Sequence, residues 1–245
     1  MSESTATRLP ATWGGRAIEA ITLDVGGVLL LPQLKVIRDI FRPLGFMLAD
    51  TVIDSAHYHA VAAVDAAAEH DWQTYLTHYV AACGIKGRAA AYATERLDEV
   101  LAPDVWLRSV AGAKQALEDL SRNYRISLIS NSTGVIASLL ARDEVRMCQV
   151  GPGPGVPVTA IYDSHHVGVD KPDPRIFRLA LETMGSSVES TLHVGDTIHA
   201  DIRGAQATGM PSAHIDPLSL CGSCGATLHL RGLSELSTLL VTRTA

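Results

Sequence analysis

Short apolar, β-branched runs alternate with helix-patterned segments along most of this chain, and that rhythm limits its fold more than any other feature. The run 20–24, Ala-Ile-Thr-Leu-Asp, reads as a buried strand that ends in an acid and passes into the turn Gly26-Gly27. Residues 126–130 form a second such run, after a helix end and a basic turn near Arg125. Ala160–Asp163 reads as a weaker third, Thr191–Gly195 as a fourth and 211–215 as a fifth. Between them lie helical patterns over 109–123, 134–142, 174–184, 200–208 and 234–241. Strands that alternate with helices of this length pair in parallel through crossover helices, which gives an α/β doubly wound parallel sheet.

Residues 33–108 break the rhythm. They contain no convincing strand; 52–69 is rich in alanine, and 72–83 and 88–101 have helical spacing. The expected organisation is a two-part α/β core, residues 1–32 and 109–245, interrupted by an all-helical cap domain over 33–108. That agrees with a length of 245 residues, between one and two domains of about 150 residues each. An insert at that point sits above the carboxyl ends of the strands, where open α/β sheets bind ligands. The stretch 150–157 alternates glycine with proline and is expected to be an exposed, mobile loop.

Composition narrows the function. Acidic residues number 26 against 20 basic ones, a formal charge of -6, so nothing marks a nucleic-acid partner held by phosphate contacts. No apolar run approaches the roughly 20 residues of a membrane span, and the polar start at 1–16 does not read as a secretory signal. A cytoplasmic chain with no membrane partner is expected. Four cysteines are too few for a disulfide framework. Cys221-Gly-Ser-Cys224 has the spacing of half a zinc site or a redox pair, but with only His229 near it in sequence it reads as a surface turn with two free thiols.

The ends of the strands carry the chemistry. Strand one ends at Asp24, strand two at Ser130-Asn131 and strand four at Gly195-Asp196, and Lys171 stands just before a helix in Lys171-Pro-Asp-Pro. In a doubly wound sheet these ends converge on one crevice. Two carboxylates, a hydroxyl, an amide and an ammonium suit phosphate chemistry: carboxylates hold Mg²⁺, a lysine neutralises phosphoryl oxygens, and a strand-end aspartate can act as nucleophile.

Taken in order, Asp24-Val-Gly-Gly-Val-Leu, Ser130-Asn131, Lys171-Pro-Asp-Pro and Gly195-Asp196-Thr-Ile-His-Ala-Asp201 resemble the four motifs of the haloacid dehalogenase superfamily, over roughly residues 18–243. The insert is similar to that family's helical cap of the first type, on a Rossmann-like core. The resemblance implies a hydrolase, most often a Mg²⁺-dependent phosphatase of a small phosphorylated metabolite that works through an aspartyl-phosphate. By position it implies Asp24 as nucleophile and metal ligand, Gly26 as a carbonyl ligand, Asp196 as a direct metal ligand and Asp201 as support for the metal. It further implies that Lys171 stabilises Asp24 and the developing charge, and that Ser130, Asn131 and Gly27 bind substrate.

One position departs from the pattern. Family phosphatases usually carry an aspartate two residues after the nucleophile, as general acid and base, where this chain has Gly26. Some carry glycine there. The 2-haloacid dehalogenases also lack that acid, but they need no metal and have lost the Gly-Asp pair kept here as Gly195-Asp196. Phosphonate-cleaving relatives use a cap lysine, and the insert offers only Lys35 and Lys86. The alternatives to a phosphatase are therefore a dehalogenase or other C–X hydrolase, or a catalytically weak phosphometabolite-binding protein. His57, His59, His165, His166 and His199 could each replace the missing acid–base, although each reads first as an ordinary polar or surface histidine. His193, within a strand, reads as a satisfied core histidine.

Overall fold

The computed structural model describes residues 12–13 and 16–241. Its centre is a six-stranded sheet made of β1 (Ala20–Leu23), β2 (Arg125–Ser130), β3 (Ala160–Asp163), β4 (Thr191–Gly195), β5 (Ser212–Ile215) and β6 (Leu228–Leu230). The spatial order is β6-β5-β4-β1-β2-β3, and every pairing is parallel. The chain runs outward from β1 to β3, then returns to the other side of β1 for β4 and continues to β6. The switch point falls between β1 and β4, where such sheets open a crevice at the carboxyl ends of their strands. Both faces of the sheet are covered, so β1 and β4 are buried at every position.

The core helices longer than one turn are α5 (Ala113–Ser121), α6 (Ile136–Ala141), α7 (Pro174–Met184), α8 (Arg203–Thr208) and α9 (Leu233–Val241). Local chemistry sets their ends. Asp173 accepts the N–H of Arg175 ahead of α7, Pro174 occupies its first turn, and Gly185 closes it in the left-handed region. Helix α5 starts four residues later than the pattern suggests, because Arg108–Ser109 pairs antiparallel with Leu30–Leu31 and Gly112 turns the chain with a positive φ.

That small ribbon joins the two connections between core and insert. Beyond it lie α1 (Leu34–Phe41), α2 (Asp50–Ala66), α3 (Trp72–Ala82) and α4 (Gly87–Val100). They close on an apolar cluster of their own, with Phe41, Leu76, Tyr79 and Leu97 fully buried. Helix α1, which the sequence pattern does not announce, supplies Ile37 and Phe41 to it.

Three further differences from the expected elements have simple causes. Strand β6 is only three residues long at the sheet edge and half-exposed, so it lacks the β-branched run that marks the others. The Gly/Pro stretch is not all loop: Val156–Val158 pairs with Cys148–Val150, leaving 151–154 exposed. Val156 and Val158 point inward and Pro157 outward, a place in a short strand that proline tolerates. The expected helix at 200–208 begins earlier, as a π-turn over Ile198–Ile202 that runs into α8. The polar segment 1–16 lies almost wholly outside the described residues. No described helix is long and apolar enough to cross a membrane.

Candidate active site

Asp24 is the first residue past β1, and its backbone N–H donates to the carbonyl of Val194 in β4, 2.8 Å away. That contact fixes it beside Asp196, the first residue past β4. Asp24, Asp196 and Asp201 each bring a carboxylate oxygen within 4.8 Å of the others. Lys171 reaches between them, with Nζ 2.5 Å from Asp24 Oδ1 and 2.6 Å from Asp201 Oδ1 and its side chain only 2% exposed. Burial alone would lower the Lys171 ammonium, but Asp201 and Asp24 outweigh it and hold it above its ordinary value.

The carboxylates divide the work. Asp201 is saturated: Oδ1 accepts from Lys171 and from His193 Nε2, and Oδ2 accepts from the N–H and hydroxyl of Thr197. Burial pushes Asp201 up, yet Lys171 and His193 prevail and hold it well below the usual carboxylate range. The π-turn swings Asp201 back over Gly195, where a Cβ would lie 2.1 Å from the Asp201 carboxyl carbon, so this position needs glycine. For Asp24, burial is the largest effect. Lys171 opposes it and Asp201 and Asp196 add to it, so the carboxyl is pushed up to about 7.

Asp24, Ser130, Lys171, Asp196 and Asp201 line one cavity of about 640 Å³. Its other wall comes largely from the insert and its second connection, with His57, Trp72, Tyr75 and Trp106. Lys171 is the one Lys or Arg among the described residues lining it.

Two expected substrate contacts take other parts. The Asn131 side chain closes on the Lys171 backbone: Nδ2 donates to its carbonyl at 2.9 Å and Oδ1 accepts its N–H at 2.8 Å. It therefore positions the lysine, and its second amide proton and its backbone remain for a ligand in the cavity that Asn131 lines. Gly27 is not part of the cavity wall. Its φ is +64°, its carbonyl accepts the Tyr58 hydroxyl, and a Cβ there would lie 2.1 Å from Asp196 Oδ2 and 2.5 Å from His57 Nε2. Glycine here lets a carboxylate and an imidazole come down onto the backbone. The Gly26 carbonyl accepts the N–H of Val28 at 2.7 Å, which leaves it one lone pair.

His57 reads from the sequence first as an ordinary polar or surface histidine, and the structure instead buries it beside Asp196. It projects from α2, is buried, and holds Asp196 Oδ2 through Nε2 at 2.9 Å and the Tyr75 hydroxyl through Nδ1 at 2.9 Å. Tyr58 and Trp106 pack edge-on to its ring. A signal was available: His57 falls with Ile53, Ala56, Ala60 and Val61 on the apolar stripe of α2. A second missed contact is Asp65, also on α2, whose carboxylate accepts the N–H groups of Ile198 and His199. His199, His165 and His166 stay outside the carboxylate cluster. His199 stacks on His70, and His165 and His166 lie against Gly134. His193 accepts from Thr22 at Nδ1 and donates to Asp201 at Nε2, and burial holds it below its ordinary value, so it is a neutral core histidine that also orients the site.

The donor set answers what ion the site can hold. Three buried carboxylates face one ammonium. Lys171 satisfies Asp24 Oδ1 and His57 satisfies Asp196 Oδ2, which leaves Asp24 Oδ2 and Asp196 Oδ1 without a protein donor among the described residues. An all-oxygen set with surplus negative charge fits a hard divalent cation such as Mg²⁺.

Comparison with known proteins agrees with this arrangement. The family model of haloacid dehalogenase-like hydrolases matches residues 18–209. A phosphoserine phosphatase of Thermus thermophilus is 39% identical over 67 residues, 27% of each chain. The mouse haloacid dehalogenase-like hydrolase domain-containing protein 3 is 28% identical over 144 residues, 58% of this chain and 53% of that one. The chain thus spans from about a quarter to about half the length of these two relatives. Among solved structures, a magnesium-bound HAD-hydrolase of Bacillus subtilis superimposes with a TM-score of 0.58 at 20% identity, over 92% of this chain and all of that one. A family match over most of the chain, on a doubly wound parallel sheet, means that the chain belongs to the haloacid dehalogenase-like hydrolases.

Proposed function

We propose that this chain is a Mg²⁺-dependent phosphatase of a small phosphorylated molecule, with Asp24 as nucleophile. The observation that carries the reading is Lys171 bridging Asp24 and Asp201 beside Asp196, on the floor of a cavity roofed by the helical insert. An Asp24 carboxylate oxygen attacks phosphorus, the bond from phosphorus to the leaving oxygen breaks, and that oxygen takes up a proton. Water then attacks the aspartyl-phosphate, releases inorganic phosphate and restores the carboxylate. Lys171, the Ser130 hydroxyl and the Asn131 backbone hold the phosphoryl oxygens, and Asn131 keeps Lys171 in place. Asp24, Asp196 and the Gly26 carbonyl are the groups that would hold Mg²⁺, which when bound neutralises phosphoryl charge. His57 is the side chain suited to hold or move a proton where Gly26 offers none. The insert serves as a cap that shuts the cavity off from bulk solvent. Aromatic walls and a single lysine favour a substrate with one phosphoryl group and a largely uncharged body.

The test is phosphate release from a panel of phosphorylated metabolites and an aryl phosphate, with and without Mg²⁺. Turnover that needs Mg²⁺ and disappears in Asp24→Asn is expected. Full turnover in Asp24→Asn would refute the mechanism. Release of halide from 2-haloacids that persists in chelator would instead make the chain a dehalogenase.

A further inference from the structure

Strands β5 and β6 pair with His214 opposite His229. The connection between them, 216–227, doubles back on itself. Asp216 accepts the N–H groups of Leu220 and Cys221 at 2.9 and 2.8 Å, which returns Cys221 to the end of β5. Gln206 Nε2 donates to the carbonyls of Cys224 and Gly225, and Gly225 turns the chain with φ +75°. One ligand atom from each of His214, Cys221, Cys224 and His229 then lies within 4.8 Å of the other three. Cys224 Sγ is 3.8 Å from His214 Nδ1 and 3.8 Å from His229 Nε2.

These distances match a tetrahedral zinc centre. With Zn–S near 2.3 Å and Zn–N near 2.05 Å, tetrahedral angles put sulfur and nitrogen about 3.6 Å apart and two sulfurs about 3.8 Å apart. Thiolate and imidazole donors select zinc over Mg²⁺, which takes oxygen. The orientation of His214 points the same way. Its Nε2 lies 3.1 Å from the Asp196 carbonyl and donates to it, so the neutral ring presents a bare Nδ1 toward Cys224. A metal-ligating histidine commonly donates its far N–H to a backbone carbonyl in this way. The spacing of Cys221-Gly-Ser-Cys224 does not by itself bring in His214, which comes from a separate strand.

We propose that His214, Cys221, Cys224 and His229 bind a structural Zn²⁺ that pins the 216–227 connection to the sheet edge and, through His214, fixes the backbone of Asp196. Four protein ligands leave no open position, so the ion has a structural role. Binding releases the two thiol protons to solvent and keeps both imidazoles neutral. The inference stands independently of the phosphatase reading, since none of the four residues is assigned a step in it.

The test is the metal content of the 245-residue chain, untagged and prepared without chelators from zinc-supplemented cells. About one zinc per chain is expected in the native protein and in Asp196→Asn, and less than about a tenth of that in the double variant Cys221→Ser/Cys224→Ser. Should the double variant fail to fold, native protein reloaded with Co²⁺ carries the test: tetrahedral d–d bands with a thiolate-to-cobalt charge-transfer band are expected. Stripping the ion should lower Tm, and Zn²⁺ but not Mg²⁺ should restore it. Native protein that holds no zinc and gives no tetrahedral cobalt spectrum would overturn the proposal, as would a Cys221–Cys224 disulfide in freshly prepared protein.

Discussion

Replacing Lys171 with methionine tests whether its ammonium neutralises the carboxylate cluster. The substitution roughly keeps side-chain length and removes the charge. Nζ makes two short contacts, to Asp24 and to Asp201, from a side chain 2% exposed. Removing one partner of a buried ion pair costs about 3–5 kcal/mol, because it strands a charge. Here two carboxylates lose the same partner and Asp196 stands beside them, so the upper end of that range, about 5 kcal/mol, is expected. At about 2–4 °C per kcal/mol for a chain of this size, Tm should fall by roughly 10–20 °C near pH 8 without divalent cation. The loss should shrink on acidification. In the folded native protein Asp24 is already raised to about 7 with Lys171 pulling it down, so the variant's carboxyl lies higher still. Above the ordinary carboxyl value near 3.8, the folded variant then binds more protons than the unfolded chain, and stability falls as pH rises through the folded value. Thermal melts in chelator between about pH 5 and pH 8 measure this directly, read against the native chain under the same conditions. A Tm loss below about 3 °C near pH 8, or one that does not shrink near pH 5, would refute the assigned role of Lys171.

Four further substitutions probe the remaining geometry. His57→Asn should lower kcat by about 10²–10⁴-fold if the imidazole carries a proton, and Gly26→Asp in that background should recover part of the loss. The new Cβ at 26 would meet the Trp106 ring at 3.5 Å, an ordinary contact, so the double variant should fold; its failure to regain any rate would argue that His57 only orients Asp196. Gly27→Ala must place a side chain at φ +64°, which costs about 1–2 kcal/mol, and must displace Asp196 and His57. A loss of about 10²-fold in kcat is expected, and native turnover would exclude the tight approach at Gly27. Asp65→Ala removes the acceptor shared by the Ile198 and His199 N–H groups, at about 1.5–3 kcal/mol, and should raise KM more than it lowers kcat. An unchanged KM and Tm would rule out a hold of α2 on the loop after β4.

The parts of this site that could be read from sequence are those that a single strand end supplies. Asp24 and Asp196 announce themselves because each follows a buried run, and a doubly wound sheet forces the ends of β1 and β4 together at its switch point. Lys171 is legible for a different reason, since its Pro-Asp-Pro sequence marks the start of α7. What resisted reading depends on pairs of elements that meet only in the fold. His57 looks like any helix histidine until the insert is set over the sheet and brings Nε2 to Asp196. His214 looks like a strand histidine until the 216–227 connection carries two thiols back to it. Asn131 carries a second part that its place beside Ser130 does not announce: its amide also closes on the Lys171 backbone. His57 and His214 converge on Asp196, whose carboxylate is held by the insert through His57 and whose carbonyl is held by β5 through His214. A residue gripped from both sides can present its second carboxylate oxygen to a cation in one orientation only while both grips hold. Zinc loss and His57→Asn should therefore weaken Mg²⁺ binding by similar means, and non-additive effects in the double perturbation would reveal the shared element.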